Sequence, residues 1–138
     1  MLFFFSVGIL EAEEVQNFED LTDYYSCGLR RISHEGLVGF ENKKGKVVIS
    51  PQFNYAYPFL KKKCLALKNA ELTEVSSTDS GESEFSWSGG TWGVIDVKGN
   101  VVKPFLYQRR WSPLQGEFIY VSQQDSFYVN GKGKIVEL

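Results

Sequence analysis

Three stretches of this chain repeat one pattern: an apolar run, an Asn or Asp, a Gly three positions later, and a second apolar run. They are Gly36 to Val48, Gly90 to Val102 and Phe127 to Val136. A self-similar chain is confined to folds in which one short unit packs on copies of itself. Two apolar runs joined by such a turn are how a β-hairpin is written in sequence. Asn42, Asp96 and Asn130 stand at the first turn position, where a short side-chain oxygen accepts a hydrogen bond from the backbone two residues on. Gly45, Gly99 and Gly133 close the turn, where a positive φ is free of cost only for glycine. Asp96 is therefore a turn former rather than a catalytic carboxylate, since asparagine fills its place in both other copies.

After the first two hairpins come Pro51 or Pro104, an aromatic-rich connection and a further strand, Cys64 to Leu67 or Phe118 to Val121. Gly28 to Ile32 reads as that third strand without its hairpin, and the last hairpin lacks a third strand. The expected fold is all-β, with tandem short antiparallel units of a hairpin plus a third strand. Residues 28–32 are expected to dock on the C-terminal hairpin, giving a curved roll or barrel-like closure that hides strand edges. Residues 28–138 then form one domain of about three degenerate repeats, behind an N-terminal extension over 1–27. Asn42 lies 54 residues before Asp96, but Asp96 lies only 34 before Asn130. The 20 extra residues are assigned to 70–89, a Ser-rich stretch with Glu71, Glu74, Asp79, Glu82 and Glu84 and no basic residue. A long, mobile, acidic hairpin loop is predicted there, with Phe85 and Trp87 keeping a partner-binding role open.

Trp92, Gly93, Val94, Ile95, Asp96, Val97, Lys98 and Gly99 resemble the signature of the WG-repeat family. Val38 to Gly45 departs from it by losing the tryptophan, and Ser126–Phe127 replaces the Trp-Gly pair in the last copy. The resemblance implies tandem β units, often in exported or envelope proteins of bacteria, with no enzymatic activity attached to the repeat.

Charge and chemistry narrow the function further. A net charge of −2 and a pI near 5.5 leave no electrostatic footprint for nucleic acid; Lys61–Lys63 and Arg109–Arg110 read as solvated strand ends. Leu2 to Leu10 is too short to span a bilayer, so no transmembrane segment is expected. It reads either as the apolar region of a secretory signal, with Ala12 before the cleavage point, or as a buried first strand. Export to periplasm or cell surface is the first expectation and a cytoplasmic location the second. A helix is predicted around Val15, Phe18 and Leu21. Cys27 and Cys64 fit a disulfide if exported and buried thiols otherwise. Two Cys and one His do not make a closed zinc site, so no metal or cofactor is expected.

No catalytic template fits. His34, the only histidine, is assigned to a polar loop. Gly131 to Lys134 lacks the spacing of a phosphate loop, and the acidic residues cluster in the segment least able to hold them. Tyr55, Tyr57, Phe59, Tyr107 and Trp111 in the connections, with Trp87, read first as core and second as a recognition surface; Trp92 is assigned to the core. The expected function is a non-enzymatic module binding a protein or a cell-surface component. A cytosolic immunity-type or inhibitor protein, a structural fragment of an envelope protein, and a cryptic hydrolase are the alternatives.

Overall fold

The computed structural model describes residues 24–77 and 83–138. The signal-like segment, Ala12 and the helix expected near Val15 lie outside the described residues. Inside them the chain is strand and turn, with no helix. β1 (Leu29–His34), β2 (Leu37–Asn42) and β3 (Val47–Phe53) form a three-stranded antiparallel sheet in chain order. β4 (Tyr55–Ala56), β5 (Lys63–Ser77), β6 (Ser83–Asp96), β7 (Val101–Ser112), β8 (Glu117–Val121), β9 (Ser126–Val129) and β10 (Ile135–Glu137) form a second, also antiparallel and in sequential order.

β7 serves two neighbours in succession. Its first half pairs with β6, from Val101 opposite Ile95 to Tyr107 opposite Trp92. Its second half pairs with β8, from Gln108 opposite Val121 to Ser112 opposite Glu117. The molecule therefore resolves into three equivalent meanders: β1-β2-β3, β5-β6 with the first half of β7, and β8-β9-β10. β4 and the second half of β7 are the matching connections, each laid along the first strand of the next meander.

This pairing bears on two expectations. Residues 28–32 do not dock on the C-terminal hairpin: β1 pairs with β2, from Leu29 opposite Asn42 to His34 opposite Leu37. The half-units at the two ends arise from cutting the repeat at the hairpin, whereas the structural unit starts one strand earlier. Among the described residues no closed barrel is found: β10 and β4 are the edges of one sheet and β1 and β3 of the other. Pro51 in β3 and Pro104 in the first half of β7 are tolerated because each strand has a neighbour there on one side only.

The turns share one geometry. Asn42 Oδ1 accepts from the backbone N–H of Lys44 and Lys46 at 2.9 and 3.0 Å, and the Gly45 N–H donates to the Asn42 carbonyl at 3.0 Å. Asp96 takes the N–H groups of Lys98 and Asn100, and Asn130 those of Lys132 and Lys134. Gly45, Gly99 and Gly133 have φ of 80°, 87° and 81°. Tighter two-residue turns at Cys27–Gly28, Glu35–Gly36 and Lys61–Lys62 place both residues at positive φ, the twist that matches flanking strands.

The Gly of each Trp-Gly or Val-Gly pair has a different task. A Cβ on Gly39 would lie 2.5 Å from the Ile49 carbonyl oxygen, and one on Gly93 would lie 2.8 Å from that of Lys103. The register shifts at both points, between Val38 and Phe40 and between Trp92 and Val94, so the partner strand presses onto a backbone without a side chain. β9 and β10 pair without a shift, and there Phe127 stands where the other copies have Gly.

Two apolar clusters lie on opposite faces of the middle meander. Cys64, Ala66 and Ile95 face Leu29, Val38, Phe40, Ile49, Phe53 and Phe59. Leu67, Trp92 and Val94 face Tyr107, Tyr120 and Phe127. Successive residues of one strand thus serve different clusters, which is why Cys64 to Leu67 reads as an unbroken apolar run.

The described residues of the hairpin expected at 70–89 are strand. β5 and β6 run on past the sheet as a two-stranded ribbon, with Ala70 opposite Gly89, Leu72 opposite Trp87 and Ser77 opposite Ser83. It grows from the place where the first meander turns on Glu35–Gly36 alone and the third turns through residues 122–125. Asn69 and Gly90, at φ of 60° and 78°, kink its base, and Asn54 Oδ1 accepts the Ala70 N–H at 2.8 Å.

Candidate functional site

The three meanders leave a cleft of about 450 Å³ between them. Tyr24 and Ser26 reach it from ahead of β1, and Tyr57 to Leu60 from the connection after β4. Leu65 of β5 and Val94 of β6 form its floor, with Phe118 and Tyr120 of β8 and Val129 and Ile135 of the last hairpin opposite. Strand alternation aims these side chains inward: Phe118 and Tyr120 are two apart on β8 and share a face. Lys63 and Glu117 supply one charge of each sign to the lining.

Arg109 is the organising cation beside the cleft. It lies opposite Tyr120 in the β7–β8 register, and its guanidinium sits 4.7 Å from the Trp92 ring centroid and 4.5 Å from that of Phe118. It donates to the Tyr57 hydroxyl at 2.9 Å, and its charge acts on the Tyr120 phenol. Among the described residues no carboxylate forms an ion pair with it. Burial pushes the Tyr120 phenol up, with Tyr57 adding to the effect and Arg109 opposing it. Burial likewise raises the Cys64 thiol, against the opposing pull of Arg31, and Sγ donates to the Tyr57 carbonyl at 3.1 Å. A thiol so placed is a poor nucleophile. Cys27 is exposed and Cys64 buried, both as free thiols. Among the described residues no three of His, Cys, Asp and Glu gather as metal ligands.

The aromatic residues singled out from sequence part company. Tyr57 lines the cleft, and Tyr55 meets it edge-on at 5.1 Å. Trp111 is 53% exposed and packs edge-on against Phe118 at 5.3 Å. Trp87, half-buried on the ribbon, packs back against the cluster around Trp92. Tyr107 does not belong to a recognition surface: it is 3% exposed, stacks edge-on with Phe127 at 4.9 Å and donates to Asp125 at 2.8 Å. Its parity on β7 matches Arg109 and Trp111, but its half of the strand lies over the second cluster. Sequence reasoning missed Arg109, Phe118 and Tyr120. The two-residue alternations Arg109–Trp111 and Phe118–Tyr120 were visible, but not that these two strands are partners.

Comparison with known families matches the WG containing repeat to residues 39–69 and 92–123. No curated protein and no solved structure is matched. Each matched segment runs from the hairpin of one meander into the first strand of the next.

Proposed function

This chain is a WG-repeat protein, and from that premise we propose that it acts as a non-enzymatic binding module for a protein or a cell-surface component. The observation that carries the reading is the aromatic ridge along β7 and β8. Trp111 and Phe118 stand together, 53% and 44% exposed, beside Arg109, with Leu114 90% exposed in the turn beyond. Trp, Tyr and Arg dominate the energetic centres of interfaces, and rigid rings held on paired strands lose little freedom on binding. The test is affinity capture from cell extract and surface fractions with the wild type and Trp111→Ala, followed by calorimetry with each purified partner. Trp111→Ala is expected to weaken binding about tenfold or more; a partner bound equally well by both would sink the ridge as the contact surface.

Export to the periplasm or cell surface is the location this reading favours. One observation supports a second reading, a cytoplasmic immunity-type or inhibitor protein: unbonded thiols at Cys27 and Cys64 suit a reducing compartment. The intact mass and cell fraction of the mature protein separate the two.

A further inference from the structure

We propose that the cleft between the three meanders is a binding site for a small amphipathic carboxylate, its apolar body inside and its carboxylate on the Tyr57 and Tyr120 hydroxyls and Arg109. The inference goes beyond the protein-binding reading and does not rest on it.

Three observations converge. The cleft volume of about 450 Å³ is that of a small-molecule site, and such sites combine apolar walls with a few convergent polar groups. The walls qualify, with Phe59, Leu65, Val94, Val129 and Ile135. Tyr57 and Tyr120 in the lining, with Arg109 beside them, supply donors. Arg109 gives a hydrogen bond to the Tyr57 phenol oxygen and lies opposite Tyr120 across the β7–β8 pair, which leaves each phenol its own proton to donate, and among the described residues neither donates it to a protein acceptor. A guanidinium has five N–H donors and no acceptor, and this one has no carboxylate partner among the described residues. Its π contacts with Trp92 and Phe118 fix its plane without neutralising it. Two hydroxyls beside a cation that no described carboxylate pairs select an anion, and a planar carboxylate matches their geometry. Glu117 in the lining opposes an anion and sets an upper limit on affinity.

The probes are decanoate, decanol and decyltrimethylammonium, each titrated below its aggregation limit into the full chain by calorimetry and tryptophan fluorescence. Decanoate is expected to bind at least tenfold more tightly than decanol, with decyltrimethylammonium weaker still. Arg109→Gln should remove most of the preference for decanoate while leaving decanol unchanged. Tyr57→Phe should weaken decanoate severalfold and Glu117→Gln strengthen it, and Trp111→Ala should leave it unaltered, which separates this site from the ridge. Arg109 is exposed, so the Gln variant keeps the fold, checked by circular dichroism; Arg109→Lys, charged but without the fork, should fall between. Equal binding of decanol, no binding of decanoate, or full binding by Arg109→Gln would each overturn the assignment. So would a doubled mass in light scattering with the cleft closed to all three probes, which would make a second copy the occupant.

Discussion

At Gly93 a single hydrogen in place of a methyl group lets one strand lie across another. An alanine there would set its Cβ 2.7 Å from the Phe105 ring and 2.8 Å from the Lys103 carbonyl oxygen, so Gly93→Ala is expected to destabilise the protein by about 1–3 kcal/mol. Gly131, in the last turn, has nothing within 4 Å of the same position, and Gly131→Ala should change the urea midpoint by less than about 0.5 kcal/mol equivalent. Equal effects at the two sites would show that the bulge is not what requires glycine. Asp96 makes a second residue-scale test. The Asn100 N–H, with lesser help from Lys98 and the Asn100 side chain, holds its carboxyl below the ordinary 3.8. A depressed folded-state pKa means stability that is complete above the unfolded value and drains away as pH falls through the folded one. Asp96→Asn keeps the turn, as Asn42 and Asn130 do, and should flatten the loss of stability below about pH 4. Asp125, lowered by Tyr107, Ser122 and Lys103, remains as an internal control, so the acid limb is reduced but not abolished. The turn residues were legible because their chemistry is local. The reason for the Gly after Val38 and Trp92 was not, since it depends on a strand ten or more residues away.

Among the elements, the ribbon from Ala70 to Gly89 shows most plainly what composition leaves unsaid. Its excess of 20 residues could be counted from turn spacing, and its acidic, Ser-rich composition read as a hairpin loop without saying how far the strands would pair. Backbone pairing from Ala70–Gly89 to Ser77–Ser83 needs no apolar side chain, only two segments of nearly equal length, with one bulge between Glu74 and Ser76, meeting at a kinked base. A two-stranded ribbon is only marginally stable by itself, so it draws its order from the sheet below. Replacing residues 73–86 by a short Asn- and Gly-containing turn is expected to leave the thermal midpoint within a few degrees, because Trp87 and its packing stay in place. A large drop in the scan would mean that the ribbon tip supports the body. The phase of the repeat was misread for a related reason: hairpins announce themselves through Asn, Asp and Gly, while a plain strand such as β1 does not say which neighbour it will join.

The whole molecule is tied together by contacts that ignore the meander boundaries. Cys64 and Ala66 belong to one cluster and Leu67 to the other, β7 is shared between the second and third meanders, and Lys103 on β7 reaches Glu137 on β10 at 2.6 Å. Unfolding should therefore be a single transition. Ile32→Ala, in the first meander and fully buried, is expected to lose about 2–5 kcal/mol, and Phe127→Ala, in the third, about 3–5 kcal/mol. Each should shift fluorescence and near-ultraviolet dichroism together; separate midpoints for the two probes would show that the meanders unfold alone. An all-β repeat was plain from the spacing of turns. The cleft was not, because it exists only where Tyr24, Tyr57, Val94, Tyr120 and Ile135, spread over more than a hundred residues, come to one place.

The sequence repeat and the meander are cut one strand out of phase, and this makes the number of units a free variable. β1 and the β9–β10 hairpin are the outer pieces of the described array. Any copy spliced between them brings the hairpin that completes the meander before it and the strand that starts the one after. A lineage could lengthen or shorten such a chain by whole copies and never leave a hairpin without its opening strand.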